Sequence, residues 1–340
     1  MSLRFSSANV AIKLHDHIVR GLTLGPSHDR LFFLCGDSLC EWDLESEVYK
    51  VLVQNLPDRM DYLAVRPDQR PMLLKSFSDV YNYDYGGEVE FFGKVTLEPE
   101  TSVSCFAVSP NGDFAFVCNY GRRGIHYHSD VHLRILDLEL GEPIAELHGH
   151  KNPVRTAVFT PDSKRIVTYS GMVGDHGCFE CEVPRYRVFS IEDGACVGSF
   201  GGRRASEFGK QYAEPWDRLS SPCMDVSLDG KIGVFAADSR VALVDLSTWR
   251  VTQQFETGAE LIELARFSSD GAHVFALCDN QAFYSWNRFT GELERLIGGY
   301  SFGAHEFVVP VTNDSVITTS RVETSDTWIH RRALFPKSNS

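Results

Sequence analysis

Two short markers alternate along the chain, and this repetition constrains the fold more than any other feature of the sequence. The first marker is a turn that contains Pro, Asp, Asn or Gly and separates two apolar runs. The second marker is an aromatic or aliphatic residue followed by Asp or a substitute for Asp. Each occurs seven times and the two alternate, which predicts an array of equivalent structural units.

The markers recur at nearly constant spacing. The turns lie at residues 25–29, 66–69, 109–112, 160–163, 227–230, 268–271 and 311–314. The dipeptides are Trp42-Asp43, Tyr83-Asp84, Leu136-Asp137, Phe189-Ser190, Val244-Asp245, Trp286-Asn287 and, more weakly, Trp328-Ile329. Counted from the second residue of one turn to the second residue of the next, the spacing is 41 to 43 residues, except for two longer intervals in the middle of the chain.

The segments between the markers are short, β-prone and alternating. In the third unit, residues 103–108 precede the turn, residues 114–118 follow it, residues 131–135 alternate between apolar and polar, and residues 143–147 close the unit. Such runs predict an antiparallel meander of four strands. We therefore predict an all-β fold, a single seven-bladed β-propeller of four-stranded antiparallel blades.

The predicted blades can be bounded from the markers. They span approximately the seven ranges 19–56, 57–98, 101–148, 151–200, 220–256, 259–297 and 303–335, within one domain over residues 1–336 and a tail over 337–340. The last unit has only three strand-like runs, whereas residues 3–14 supply a spare one. We expect this N-terminal strand to close the ring as the outer strand of the last blade, because closure removes an unpaired edge.

Two of the motifs resemble those of the WD-repeat (WD40-like) β-propeller family. Gly149-His150 precedes the inner strand of the fourth unit, and Trp42-Asp43 ends the third strand of the first. The resemblance covers essentially the whole chain, although most copies are degenerate. It implies a scaffold or adaptor role, with the family's His–Ser/Thr–Asp–Trp network mostly absent. In the fourth unit His150 could reach Ser170, but Phe189-Ser190 replaces Trp-Asp. A Kelch-type propeller is the alternative, but its paired glycines do not recur.

Three insertions interrupt the period, at residues 119–130, 171–185 and 201–222. The first two follow a second strand and the third follows a fourth strand. Loops at these positions leave an antiparallel meander from the same end, opposite the marker turns. We therefore predict that the insertions form a raised rim on one face of three consecutive blades, and we call them the rim.

The rim differs in composition from the remainder of the chain. The segments 119–132, 171–187 and 201–222 carry a net charge of +1, whereas the whole chain carries −13. Arg, Tyr and Trp together are typical of binding hot spots. The candidate partner-binding residues are Tyr120, Arg122, Arg123, Tyr127, Phe179, Arg185, Tyr186, Arg203, Arg204, Phe208, Lys210, Tyr212, Trp216 and Arg218. The alternative is that the insertions fold on each other as a satellite core.

One cluster in the insertions has the residue types of a metal site. Cys178 and Cys181 have a spacing that lets both sulfurs reach one ion, with His176 nearby and His128 in the neighbouring insertion. A structural zinc site needs four ligands, and no second cysteine pair with matching spacing exists. We expect incidental loop cysteines, no metal and no cofactor. Neither a phosphate-binding loop nor a Gly-x-Ser-x-Gly elbow is present.

Charge and cysteine content limit the functional class. An excess of acidic side chains disfavours nucleic-acid and anionic-membrane binding. No apolar run of 18 residues and no secretory signal pattern occurs, so we expect the nine cysteines to be reduced thiols in the cytoplasm. We predict a non-catalytic scaffold that binds a protein partner within a larger assembly. A propeller enzyme of the lactonase or dehydrogenase type, with its site at the channel mouth, is the alternative.

Overall fold

The computed structural model describes most of the chain. The described residues are 4–6, 9–14, 19–27, 29–56, 60–75, 79–83, 89–94, 101–121, 131–151, 153–170, 186–200, 224–237, 239–259, 262–268, 270–278, 282–297, 308–312, 315–321 and 327–333. Every regular element within these residues is a β-strand. The prediction of an all-β fold is therefore confirmed.

The strands follow the repeat. The chain starts with β1 (Arg4–Ser6) and β2 (Asn9–Leu14). The first sheet has β3 (Val19–Leu24), β4 (Arg30–Cys35), β5 (Ser38–Asp43) and β6 (Tyr49–Val53). The second has β7 (Met60–Val65), β8 (Pro71–Lys75), β9 (Asp79–Tyr83) and β10 (Val89–Lys94). The third has β11 (Thr101–Val108), β12 (Phe114–Gly121), β13 (Val131–Asp137) and β14 (Glu142–Leu147).

The later sheets repeat this order. The fourth has β15 (Val154–Phe159), β16 (Arg165–Ser170), β17 (Tyr186–Ser190) and β18 (Cys196–Phe200). The fifth has β19 (Met224–Val226), β20 (Ile232–Ala237), β21 (Arg240–Asp245) and β22 (Arg250–Glu256). The sixth has β23 (Ile262–Phe267), β24 (His273–Cys278), β25 (Phe283–Asn287) and β26 (Leu293–Ile297). The last strands are β27 (Val308–Thr312), β28 (Ser315–Arg321) and β29 (Thr327–Ala333).

Within each sheet, strands that are consecutive in the chain pair antiparallel. Six sheets contain four strands each, in chain order. The remaining sheet has the order β1-β2-β29-β28-β27, so the N-terminal and C-terminal strands share it. A propeller of four-stranded antiparallel sheets was predicted and is present. One detail was wrong: residues 3–14 were expected to be a single outer strand, but β1 folds back on β2, with Ser6 opposite Asn9, and adds a fifth strand.

Apolar side chains fill the spaces between neighbouring sheets. Each sheet turns one set of alternate residues towards the preceding sheet and the other set towards the next. Between the fifth and sixth sheets, for example, Val234 and Leu243 pack with Ala276 and Trp286. Ile12 and Leu14 of β2 belong to a cluster that also contains Phe33 and Trp42 of the first sheet. The packing between sheets therefore includes contact between the last sheet and the first.

The two marker turns lie at the same end of five sheets, the first and the third to sixth. In the third sheet, the Leu138 N–H, just after the dipeptide, donates to the carbonyl oxygen of Asp113 in the first turn at 2.8 Å. Equivalent bonds join Leu44 to Asp29, Ile191 to Lys164, Leu246 to Lys231 and Arg288 to Ala272. We call this end of the sheets the marker face. The loops that follow second and fourth strands leave from the opposite end.

Neighbouring sheets present their marker turns on a common face. The Asn111 N–H of the third sheet donates to Ser163 Oγ of the fourth at 3.1 Å. In the same way, Gln69 Nε2 of the second sheet donates to Ser27 Oγ of the first at 3.0 Å. These contacts tie adjacent turns together. The consecutive sheets are therefore aligned, and their opposite ends also share a face.

The last marker dipeptide was assigned wrongly. In the other sheets the dipeptide ends a third strand, as Trp42-Asp43 ends β5. Trp328-Ile329 instead lies near the start of β29, where Trp328 pairs with Ser320 of β28. The residues that end this strand are Arg332 and Ala333. An aromatic residue alone therefore does not mark the turn; the polar residue that follows it does.

Candidate functional site

The strands that flank the rim end together on the face opposite the marker turns. β12 and β13 meet there with Tyr120 opposite Val131. β16 and β17 meet there with Tyr169 opposite Tyr186, and Phe200 at the end of β18 lies opposite Tyr186. The three insertions thus begin and return at one end of the third to fifth sheets.

Most rim residues lie outside the described part of the chain. Outside it are Arg122, Arg123, Tyr127, Phe179, Arg185, Arg203, Arg204, Phe208, Lys210, Tyr212, Trp216 and Arg218. The candidate metal ligands His128, His176, Cys178 and Cys181 also lie outside it. Tyr120 and Tyr186 are the two candidate residues within it. The partner-binding role of the residues outside the described part stays a prediction, whereas the position of Tyr186 contradicts such a role.

Tyr120 belongs to a strand. β12 continues through Tyr120 to Gly121, whereas the first insertion was expected to start at residue 119. Its backbone pairs with Ser102 on β11 and Val131 on β13. The insertion is therefore shorter than predicted, because β-pairing extends on both sides of β12.

Tyr186 is a core residue between the fourth and fifth sheets. Its side chain is 4% exposed, and its hydroxyl donates to the carbonyl oxygen of Ala236 at 3.2 Å. Its ring lies edge-on to Phe235, with centroids 4.9 Å apart, and contacts Tyr169 at 4.8 Å. The alternation of Tyr186 with Val188, which is also buried, is the signal that indicates an inward position. The ring therefore packs the fourth and fifth sheets together.

A buried histidine anchors the fourth sheet beside the second insertion. His150 is 8% exposed, and its Nε2 lies 2.8 Å from Thr168 Oγ1. Thr168 Oγ1 in turn donates to the carbonyl oxygen of Arg187 at 3.3 Å. Thr168 lies two residues before Ser170, the partner proposed for His150 from the sequence. The contact ties the segment before β15 to β16 and β17, so it supports the sheet from which the second insertion leaves.

Inner strands of neighbouring sheets are joined by polar contacts. Tyr62 Oη donates to the carbonyl oxygen of Val103 at 2.7 Å, and Ser104 Oγ donates to that of Val154 at 2.8 Å. The Phe267 N–H donates to Asp225 Oδ2 at 3.0 Å. Each bond joins the first strand of one sheet to the first strand of the next. Sequence reasoning missed them because they join residues about 40 to 50 positions apart.

The described residues include side chains of metal-ligating and nucleophilic types. They contain no group of three or more His, Cys, Asp or Glu side chains that could hold a metal ion. Cys105 lies opposite Cys118 across β11 and β12, and burial raises the pKa of the Cys105 thiol. Neither of these buried cysteines forms a disulfide, and Cys118 Sγ accepts the Val154 N–H at 3.3 Å, so both act as core side chains. Within the same residues, no helix has the length and apolar character needed to cross a membrane.

Comparison with known proteins matches one of the repeats. Residues 141–177 match the model of the WD40 family, described as the WD domain, G-beta repeat. This segment runs from the β13–β14 turn through the Gly149-His150 pair to β16 and beyond. No match to the chain is found among curated proteins. WD40 propellers generally serve as platforms for protein–protein interaction and are typically not enzymes. The matched repeat and the array of four-stranded antiparallel sheets support a WD-repeat β-propeller.

Proposed function

We propose that the chain is a non-catalytic scaffold or adaptor subunit in the cytoplasm, which binds a protein partner through the rim. One observation carries this proposal: the strands that flank all three insertions end on the same side of the sheets. Length added to consecutive sheets at one end builds a single surface, whereas insertions at random positions would scatter. Exposed loops on a rigid framework are the usual carriers of binding function.

The proposed contacts follow from the chemistry of the rim residues. Arg122, Arg123, Arg203 and Arg204 would bind carboxylates in bidentate geometry. Tyr212 and Trp216 would insert into apolar pockets of the partner, since aromatic side chains bury a large area at a modest entropic cost. A partner with acidic and apolar segments fits this combination.

A closed ring is part of the same proposal. We infer that the seven sheets are seven blades of one domain over residues 1–336, closed by the N-terminal strands. Two observations support closure. β2 pairs along its whole length with β29, and Ile12 and Leu14 pack in one cluster with residues of the first sheet. A ring without open edges gives the rim a rigid base and avoids edge-to-edge aggregation.

Replacing three rim residues together tests the proposed function. The variant carries Arg203→Ala, Arg204→Ala and Trp216→Ala, and affinity capture from native extract with protein identification compares it with the wild type. We expect specific partners to be lost while the thermal unfolding midpoint stays unchanged. A matched control carries Lys231→Ala and Arg250→Ala, two exposed cations on the marker face, and should retain the partners.

The satellite-core alternative predicts the opposite result. If the rim residues form a packed cluster of their own, the triple variant unfolds at a lower temperature and exposes apolar surface. Loss of stability together with retained partners would therefore overturn the proposal.

A further inference from the structure

The sixth sheet departs from four of the other sheets, those in which the equivalent residues are described, at two adjacent positions of its marker turn. After the Asp or Ser that ends the third strand, four sheets place a buried aliphatic residue, 2 to 4% exposed: Leu44, Leu138, Ile191 and Leu246. The next residue is polar: Glu45, Glu139, Glu192 or Ser247. The sixth sheet has Arg288 and then Phe289, whose side chain is 75% exposed. In the sixth sheet the charged residue thus takes the first of the two positions and the apolar residue takes the second.

The backbone of this turn is unchanged by the exchange. The Arg288 N–H still donates to the carbonyl oxygen of Ala272 at 2.9 Å, as the aliphatic residues do in the other sheets. The Phe289 N–H still donates to Asn287 Oδ1 at 3.0 Å. No difference in turn geometry therefore requires an aromatic residue at the exposed position.

Arg288 lies between Phe289 and the body of the protein. Its guanidinium carbon is 5.4 Å from the centroid of the Phe289 ring and 5.3 Å from that of Phe267. Its Nη1 donates to the carbonyl oxygen of Gly271 at 3.3 Å. The Arg288 guanidinium therefore packs between the exposed ring of Phe289 and the buried ring of Phe267.

A second exposed apolar residue adjoins this group. Leu228 is 66% exposed and occupies the turn position that is Pro67, Pro110 or Pro161 in the second to fourth sheets. A Cβ atom built on Gly271 would lie 3.9 Å from Leu228 Cδ1 and 3.7 Å from Arg288 Nη1. Leu228 and Phe289 are thus joined across Gly271 and Arg288. We call these four residues the Leu228–Phe289 patch.

Carboxylates flank the patch on the marker face. The Ser227 hydroxyl, followed by the Lys231 N–H, holds the pKa of Asp229 below its usual value. In the neighbouring turn of the fifth sheet, hydrogen bonds from Ser247 and Thr248 lower the pKa of Asp245 to about 2. Asp270 and Glu292 are exposed in the turns of the sixth sheet. The four carboxylates and the three cations of Lys231, Arg250 and Arg288 together carry a net charge of −1.

We propose that the Leu228–Phe289 patch is a second docking surface, on the marker face, for a basic segment of a partner protein. An aliphatic or aromatic side chain of that segment packs between Leu228 and Phe289, and flanking Lys or Arg side chains approach Asp229, Asp270 and Glu292. The net charge of −13 on the whole chain favours the approach of a basic partner. This surface lies at the opposite end of the sheets from the strand ends that flank the three insertions, and it does not depend on the function proposed for the rim.

The repeat itself supplies the test variants. Arg288→Leu with Phe289→Glu restores the Leu-Glu pair of the first and third sheets, and Leu228→Pro restores the proline of the second to fourth. The probe is a random twelve-residue peptide library displayed on phage and selected on the full chain. We expect enrichment of peptides with an apolar centre flanked by Lys or Arg. Synthetic copies should bind the double variant and Leu228→Pro at least tenfold more weakly, and wild-type binding should weaken with added salt.

The possible outcomes separate the proposal from its alternatives. Enrichment of acidic peptides, or equal binding by wild type and both folded variants, would overturn it. Dimerisation of the wild type that both variants abolish, measured by analytical ultracentrifugation, would replace the basic partner with a second copy of the chain. If the double variant loses cooperative unfolding, the Leu228→Pro variant decides alone, because its backbone position already accommodates proline in three other sheets.

Discussion

The Asp of the second marker acts as a turn cap in this chain. Asp43 Oδ1 accepts the N–H groups of Glu45 and Ser46, and Asp137 Oδ1 accepts those of Glu139 and Leu140. In the sixth sheet Asn287 Oδ1 makes the same two contacts. Asp and Asn side chains favour such turns because their oxygen reaches the backbone two residues on. The Asp or Asn is therefore retained where the preceding aromatic residue is replaced, as in Leu136-Asp137, because its side chain caps the turn.

Asp245→Asn should reduce the acid sensitivity of the protein without disturbing this turn. The pKa of Asp245 is about 2, because Ser247 and Thr248 donate to its carboxylate, and a carboxyl in an unfolded chain titrates near about 3.9. Since the folded value is the lower one, the carboxylate stabilises the fold above about pH 4, and this contribution is lost as the pH falls towards 2. We expect urea denaturation to show the wild type losing more stability than the variant between pH 5 and pH 2. Parallel pH profiles would contradict the assignment.

Trp42 shows that a marker residue can be retained without its network. Its side chain is fully buried, and its Nε1 has no hydrogen-bond partner among the described residues. The neighbouring positions on β4 are Leu31 and Phe33, which offer no hydroxyl. An unpaired buried donor costs about 1–3 kcal/mol. Trp42 therefore stabilises the first sheet by its apolar area alone.

Trp42→Phe should be nearly neutral for stability. The smaller ring loses packing, but the substitution also removes the unpaired donor, so we expect the free energy of unfolding to change by less than about 1 kcal/mol. Trp42→Ala serves as the control and should cost about 3–5 kcal/mol, since it leaves a large cavity. Guanidinium denaturation measures both. A Phe variant as damaging as the Ala variant would indicate that Nε1 makes a necessary hydrogen bond.

The turn between the third and fourth strands repeats one backbone conformation in five sheets. The residue four positions after the Asp, Asn or Ser has a positive φ: Glu47 at 58°, Gly141 at 72°, Gly194 at 68°, Trp249 at 57° and Gly291 at 77°. Glycine adopts this region without steric cost, whereas other residues are strained there. Three of the five positions are already Gly.

Glu47→Gly should stabilise the first sheet. Relief of the left-handed conformation gains about 1–2 kcal/mol, and the greater freedom of glycine in the unfolded chain offsets about 0.5–1 kcal/mol of it. We expect a net gain of about 0.5–1 kcal/mol in thermal and urea denaturation. Glu45→Gly in the same turn is the matched control; Glu45 has no positive φ, so its replacement should lower stability. Equal effects of the two variants would mean that the conformation at residue 47 is not strained.

The elements differ in how far they could be predicted. The four strands of the third unit were predicted within a few residues, because local alternation and turn residues determine them. The extension of β12 to Gly121 and the hairpin of β1 with β2 were missed, because both depend on pairing with other strands. The prediction that Tyr186 binds a partner was wrong: its alternation with Val188 indicates an inward position, and only the contact of its ring with the distant Phe235 lies beyond local sequence patterns.

At the scale of the whole molecule, the first and last sheets depend on residues from both ends of the described chain. β2 pairs with β29 from Asn9 opposite Arg332 to Leu14 opposite Thr327. Ile12 is 2% exposed and Leu14 is 1% exposed, and both pack with the first sheet. Each sheet elsewhere is built from consecutive strands. This junction is therefore the one described place where stability requires pairing between distant parts of the chain.

Removing residues 1–14 should therefore destabilise the whole molecule rather than one sheet. The deletion exposes the edge of β29 and removes two buried aliphatic side chains, each worth about 2–5 kcal/mol, so we expect aggregation or a large drop in the unfolding midpoint. Removing residues 1–8 is the matched control, since it deletes β1 but leaves every pair between β2 and β29. That variant should stay monomeric by size-exclusion chromatography, and a synthetic peptide of residues 1–14 should restore solubility to the longer deletion. If the longer deletion unfolds at the wild-type midpoint, β2 is dispensable and other contacts hold the first and last sheets.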